Sequence, residues 1–223
     1  MDEGPRFGAC GPLPMLRLMG LDLTLFMADW GRLGAFPVGE RIDALDGTVW
    51  PPGGDESLRY GRSGGWQWPP GPGAAWCAAY EFFTTTGSYR PHSRAGDGWA
   101  DMRPLADVSV REAMDAFLGG LIWDADPDDD PALTGGEGFF PPVTDPRRPH
   151  LLLVCPPEAV ERKVPAWDGL EPCLDGLRAP FAAECEGWAG RPDSFEGFAA
   201  LLREWGDVVR EAARRGWGLV GVP

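Results

Sequence analysis

Residues 194–222 read Ser-Phe-Glu-Gly-Phe-Ala-Ala-Leu-Leu-Arg-Glu-Trp-Gly-Asp-Val-Val-Arg-Glu-Ala-Ala-Arg-Arg-Gly-Trp-Gly-Leu-Val-Gly-Val, and this stretch decides the fold class. Phe195, Phe198, Leu202, Trp205, Val209 and Ala212 recur at the three-and-four spacing that gathers them on one helical face. Asp193 or Ser194 caps the start. Arg210, Arg214 and Arg215 fall in the last turns, where positive charge suits the helix dipole. Gly216 stops the helix, and Trp217 to Val222 follows as a strand. A long amphipathic helix running straight into a strand points to an α+β protein.

Moving outward, Met19 to Met27 alternates cleanly, with Met19, Leu21, Leu23, Leu25 and Met27 on one face, which is a strand pattern. Trp76 to Phe83 and His150 to Cys155 are the other internal strand candidates. A short helix is expected within Val38 to Leu45. A further one spans Asp107 to Leu118, with Ser109 and Glu112 spaced as a capping box and Met114, Phe117, Leu118 and Leu121 as its buried stripe. Glu158 to Glu186 is helical in pattern, but Pro165, Pro172 and Pro180 divide it into two or more pieces. Two long Pro/Gly-rich loops, Trp50 to Gly73 and Asp124 to Arg148, complete the chain. Residues 1–14 read as a flexible extension, and residues 15–223 as a single compact α+β domain whose mixed or antiparallel sheet is packed by C-terminal helices.

The 223 residues carry a net charge of −14 and no basic stripe, which excludes phosphate backbones as partners. No apolar run approaches the roughly 18–20 residues needed to span a bilayer, and the opening residues lack the layout of a secretory signal. With five scattered cysteines and no Cys-x-x-Cys, a disulfide framework or zinc knuckle is not expected. Four of the five are expected to be small buried hydrophobes. A cytoplasmic protein follows from these points. Arginine in place of lysine (Lys163 is the single exception) and the absence of asparagine give the chain the composition of a high-GC bacterial genome.

Chemistry concentrates between Trp76 and Pro104. A strand-like run there empties into Thr84, Thr85, Thr86, Gly87, Ser88, Tyr89, Arg90, His92 and Arg94. Hydroxyls and amides around a glycine turn can wrap an oxyanion, with Arg90 and Arg94 adding bidentate contacts. His92 is then the natural general acid or base, oriented by Glu81, Asp97 or Asp101. The ligand-binding set is Trp66, Trp68, Trp76, Thr86, Ser88, Tyr89, Arg90, Arg94, Trp99 and Arg103, with the tryptophans walling off water. The same residues also read as a turn fixed by structural salt bridges. The aspartates at 124 to 130 are out of register for a calcium loop, because prolines at 127 and 131 interrupt them. His92 and His150 are too far apart in sequence to begin a metal site. No phosphate-binding glycine fingerprint or nucleophile elbow is present, so no cofactor is expected.

Two functions follow. One is a protein that binds a small polar or anionic molecule in an aromatic-walled pocket, as a metal-free accessory enzyme of a specialised (secondary-metabolite) pathway would. The other is a non-enzymatic immunity or accessory protein whose acidic surface takes a basic protein partner.

Overall fold

A computed structural model describes residues 21–53, 64–123, 138–142 and 150–223. The extension at 1–14, Cys10, the aspartates at 124–130 and positions 54–63 of the first long loop lie outside the described residues. The elements run β1 (Thr24–Ala28), α1 (Trp30–Gly34), a 3-10 turn (Val38–Glu40), α2 (Arg41–Val49), β2 (Gly65–Gln67), β3 (Cys77–Glu81), α3 (Arg90–Met102), a 3-10 turn (Arg103–Leu105), α4 (Val108–Leu118), β4 (Leu153–Cys155), α5 (Pro157–Leu170), a 3-10 segment (Glu171–Leu177), α6 (Arg178–Glu184), α7 (Phe195–Arg215) and β5 (Gly218–Val222).

The five strands form one antiparallel sheet in the order β2-β3-β1-β5-β4. At its centre Phe26 lies between Ala79 and Val220. The alternation in β1 holds: Leu23, Leu25 and Met27 join one core cluster, and Phe26 and Ala28 join another. Both faces are therefore covered. Helices α3 to α7 pack on the first face, while α1 and α2, with Phe139 and Phe140, cover the second. This is the α+β domain the pattern predicts, with a wholly antiparallel sheet.

Helix α7 follows its sequence pattern closely. Ser194 Oγ accepts from the amide of Gly197 at 3.1 Å. Gly216 takes φ 68°, and the amides of Gly216 and Trp217 return to Ala213 and Ala212, a left-handed end that a residue with a Cβ resists. Helix α5 keeps Pro165 inside it, and the break falls instead at the 3-10 segment beginning Glu171-Pro172. Helix α4 starts after Asp107 with no side-chain cap, so the spacing of Ser109 and Glu112 does not make a capping box. Its far end is closed by Lys163, whose buried Nζ donates to the carbonyls of Ala116, Phe117 and Gly119. A cation on orphan C-terminal carbonyls satisfies them and complements the dipole, although burial lowers the lysine pKa. Of the four described cysteines, Cys77, Cys155 and Cys185 are buried, but Cys173 is exposed, so the expected set of four buried thiols reduces to three among those described.

Helix α3 is the main departure, since its residues read as a polar turn. It contains Gly96 and Gly98 and opens with Arg90-Pro91. A Cβ on Gly96 would stand 2.1 Å from the Ile122 carbonyl oxygen, so close backbone approach accompanies the buried stripe of His92, Ala95, Trp99 and Met102. Gly206 plays the same part in α7, because a Cβ there would meet the fully buried Trp167 indole at 2.1 Å. Alanine usually stabilises a helix by about 1 kcal/mol over glycine, but overpacking of this kind costs about 1–3 kcal/mol. Gly206→Ala is accordingly expected to lower stability in urea unfolding. Gly169→Ala in α5, which meets nothing within 4 Å, is expected to leave it unchanged or raise it.

Candidate functional site

The chain leaves β3 at Phe82 and turns sharply before α3. Such a turn strands backbone donors, and here they converge on one carboxylate. Glu204 of α7 accepts from the Tyr80 hydroxyl (3.1 Å) and the Phe83 amide on one oxygen, and from the Thr84 amide (3.2 Å) and Thr84 Oγ1 (2.7 Å) on the other. Four further amides of the segment are also engaged. Thr86 N goes to Phe82 O, Ser88 N to Thr85 O, Tyr89 N to Leu21 O, and Arg90 N to Ser88 Oγ. Thr86 sits at φ 51°, a left-handed conformation costly for a β-branched residue. Of the stretch from Thr84 to Arg94 expected to cradle an external anion, only Thr84 joins Tyr80 and Phe83 in donating to a carboxylate, and that carboxylate is the chain's own Glu204. Burial first, and then the Glu204 charge, push the Tyr80 pKa up, so the hydroxyl remains a donor.

His92 lies on the inner face of α3 and is 0% exposed. The Trp205 indole N–H donates to its Nδ1 at 3.1 Å, which places the ring proton on Nε2, 3.4 Å from Thr85 Oγ1. Phe82 packs edge-on against the ring and Tyr89 stacks along it. Desolvation drives its pKa down to about 3, so the ring is neutral at physiological pH. Glu81 stands at the end of β3, and Asp97 faces Arg191 at 3.9 Å. His92's ring nitrogens therefore face Trp205 and Thr85 rather than either carboxylate.

The proposed ligand-binding residues separate. Trp66 and Trp68 stand near the β2 edge with Tyr80 and Trp217, and the Arg215 guanidinium lies 4.2 Å over Trp68. Trp76 is in the opposite layer, stacked on Phe36. Trp99 is wholly buried and donates to Asp115, which also takes a two-pronged contact from Arg103. Arg94 pairs with Asp193 at 3.1 Å. Arg90 is exposed at the start of α3, and Ser88 also forms a bridge with Asp22.

A cavity of about 240 Å³ lies elsewhere, on the α2 side of the sheet, where β1 begins and β3 and β5 end. Three carboxylates line it: Asp22, Asp46 and Glu81. So do Gln67 and Trp50, joined by a 2.9 Å hydrogen bond from indole to amide. Glu81 alone comes from the expected set. Asp22 was legible as a polar position on the second face of the alternating Met19–Met27 run, and Gln67 as the single glutamine between two tryptophans. Asp46 carried no signal beyond its place on a short helix. No lysine, arginine or histidine lines this cavity among the described residues. Nor does any group of three His, Cys, Asp or Glu there have the geometry to hold a metal ion.

The chain matches no protein-family model, no curated protein and no solved structure. Among the described residues no helix is long and apolar enough to cross a membrane.

The buried histidine has a consequence for stability. Its folded pKa lies below the ordinary value near 6.5, so between the two the unfolded chain takes up a proton that the native state refuses. Stability is fully present above pH ~6.5 and is lost as pH falls toward 3, by roughly 1.4 kcal/mol per pH unit. Urea unfolding at pH 6.5 and 4.5 is expected to show wild type losing about 2.5 kcal/mol more than His92→Gln. Equal losses would place an exposed, freely titrating ring at this position.

Proposed function

We propose that this is a non-enzymatic binding protein that receives a basic side chain of a protein partner in the acidic cavity between α2 and the sheet. One observation carries the reading: Asp22, Asp46 and Glu81 line one cavity together with Gln67 and Trp50. Several carboxylates of the helical layer are instead spread over separate ion pairs: Arg210 binds Asp168 and Glu171, Arg178 binds Asp175 and Glu196, and Arg214 and Arg215 bind Glu211. Carboxylates gathered at one cavity of a protein of net −14 raise the local concentration of a positive partner and select its orientation.

The same lining disfavours an anionic ligand in this cavity, because three carboxylates there repel like charge. An acid–base mechanism through His92 loses support as well. A general base must reach its substrate within about 3 Å, and this ring is sealed behind Phe82, Tyr89 and Trp205.

A penta-arginine peptide at low ionic strength is a suitable probe, read by calorimetry. The triple variant Asp22→Asn, Asp46→Asn, Glu81→Gln is expected to weaken binding at least tenfold, about 1.4 kcal/mol. The matched triple Glu158→Gln, Glu161→Gln, Glu184→Gln removes the same charge from exposed positions on α5 and α6. It is expected to change binding less than about twofold, as distant, screened charges do. Equal weakening by both would reduce the effect to net charge and overturn the cavity reading. Free arginine competing as well as the peptide would point to a small cationic ligand in place of a protein partner.

A further inference from the structure

The donors around Glu204 have the composition of a receptor. Tyr80 Oη, Phe83 N, Thr84 N and Thr84 Oγ1 come from one continuous segment and meet the carboxylate two to each oxygen. Glu204 comes from α7, more than a hundred residues later, and is 7% exposed. None of the four donors is cationic. Recognition therefore rests on oriented neutral donors, as in backbone anion nests, strengthened by the charge of the acceptor. The donors are fixed by features independent of Glu204. The β3 pairing holds Tyr80, and Thr86 N→Phe82 O and Ser88 N→Thr85 O close the turn. A nest held by its own chain should keep its shape when its ligand is removed.

We infer that the Tyr80–Thr84 nest is a carboxylate-binding site in its own right, occupied in the native chain by Glu204, and that it takes a free small carboxylate when that side chain is shortened. Acetate is the matching ligand. Glu204→Ala removes Cγ, Cδ and two oxygens, and acetate restores a carbon and a carboxylate of the same shape. Alanine keeps the α7 backbone helical. Chloride cannot satisfy two donors on each of two oxygens. Acetamide fills the same volume but turns an NH2 toward amides that only donate.

The test is urea unfolding of Glu204→Ala in acetate, sodium chloride or acetamide at equal concentration and ionic strength. Acetate is expected to lower the unfolding constant of the variant at least tenfold relative to chloride, saturably, and to leave wild type unchanged. Amide hydrogen exchange supplies a local readout: Phe83 and Thr84 should lose protection in the variant and regain it in acetate. Adding Tyr80→Phe should weaken the acetate effect several-fold. If Glu204→Ala does not fold in chloride, the recovered folded fraction in acetate reports the same binding. Acetate acting no better than chloride would overturn the inference, and so would acetamide acting as well as acetate, which would reduce the nest to a space that any filler restores.

Discussion

Two neighbouring side chains of one helix, Glu204 and Trp205, hold the segment that links the sheet to the helical layer. Glu204 takes up the donors stranded where β3 ends, and Trp205 donates to His92 at the start of α3. An unsatisfied buried donor costs about 1–3 kcal/mol, so a turn with several of them needs an acceptor from outside itself. A carboxylate is the economical choice, because two oxygens accept four bonds at once. The left-handed Thr86 persists in a structure fixed from both sides, since local strain survives only where its surroundings over-determine it.

This arrangement explains why the most polar stretch of the chain does not build an open pocket. The residues that would serve a ligand are the same ones that join layers. His92 hydrogen-bonds across to α7, Arg94 reaches Asp193, and Trp99 and Arg103 meet on Asp115. Exposed pairs of this kind each contribute about 0–1 kcal/mol, so their weight in stability is small. Their effect on function is larger, because Arg94 and Arg103 each already hold a carboxylate of the chain, while Arg90 stands exposed at the start of α3.

The sequence made the elements with regular apolar spacing legible: α7, the alternation around β1, the stripe of α4, and strands near β3 to β5. It did not reveal α3, whose buried stripe of His92, Ala95, Trp99 and Met102 begins on a histidine and is interrupted by Gly96 and Gly98, which pack closely against Ile122, Cys185 and Pro192. It could not show β2 as an edge strand either, since three residues inside a Pro/Gly-rich loop have no period to read. Thr84 and its neighbours were legible as hydrogen-bond donors, but the carboxylate that Tyr80, Phe83 and Thr84 meet was not. Glu204 lies about 120 positions away, and in the pattern of α7 it is simply one more charge beside Trp205. Likewise Asp22, Asp46 and Glu81 come from a strand approach, a helix and a strand end, so only the antiparallel register brings them to one cavity.

The two faces of the sheet therefore differ in how their carboxylates are arranged. On the helical face, arginines from α3, α6 and α7 meet carboxylates within the same layer, so the field is cancelled locally and decays within a Debye length of about 8–10 Å. On the α2 face Asp22, Asp46 and Glu81 gather at one cavity. Net charge alone attracts any cation weakly and without orientation. Carboxylates fixed on one concave wall act from a fixed direction, which is what discrimination between one basic group and another requires. On the proposed reading, the acidic balance of the whole chain brings a basic partner near, and the cavity between α2 and the sheet decides how it sits.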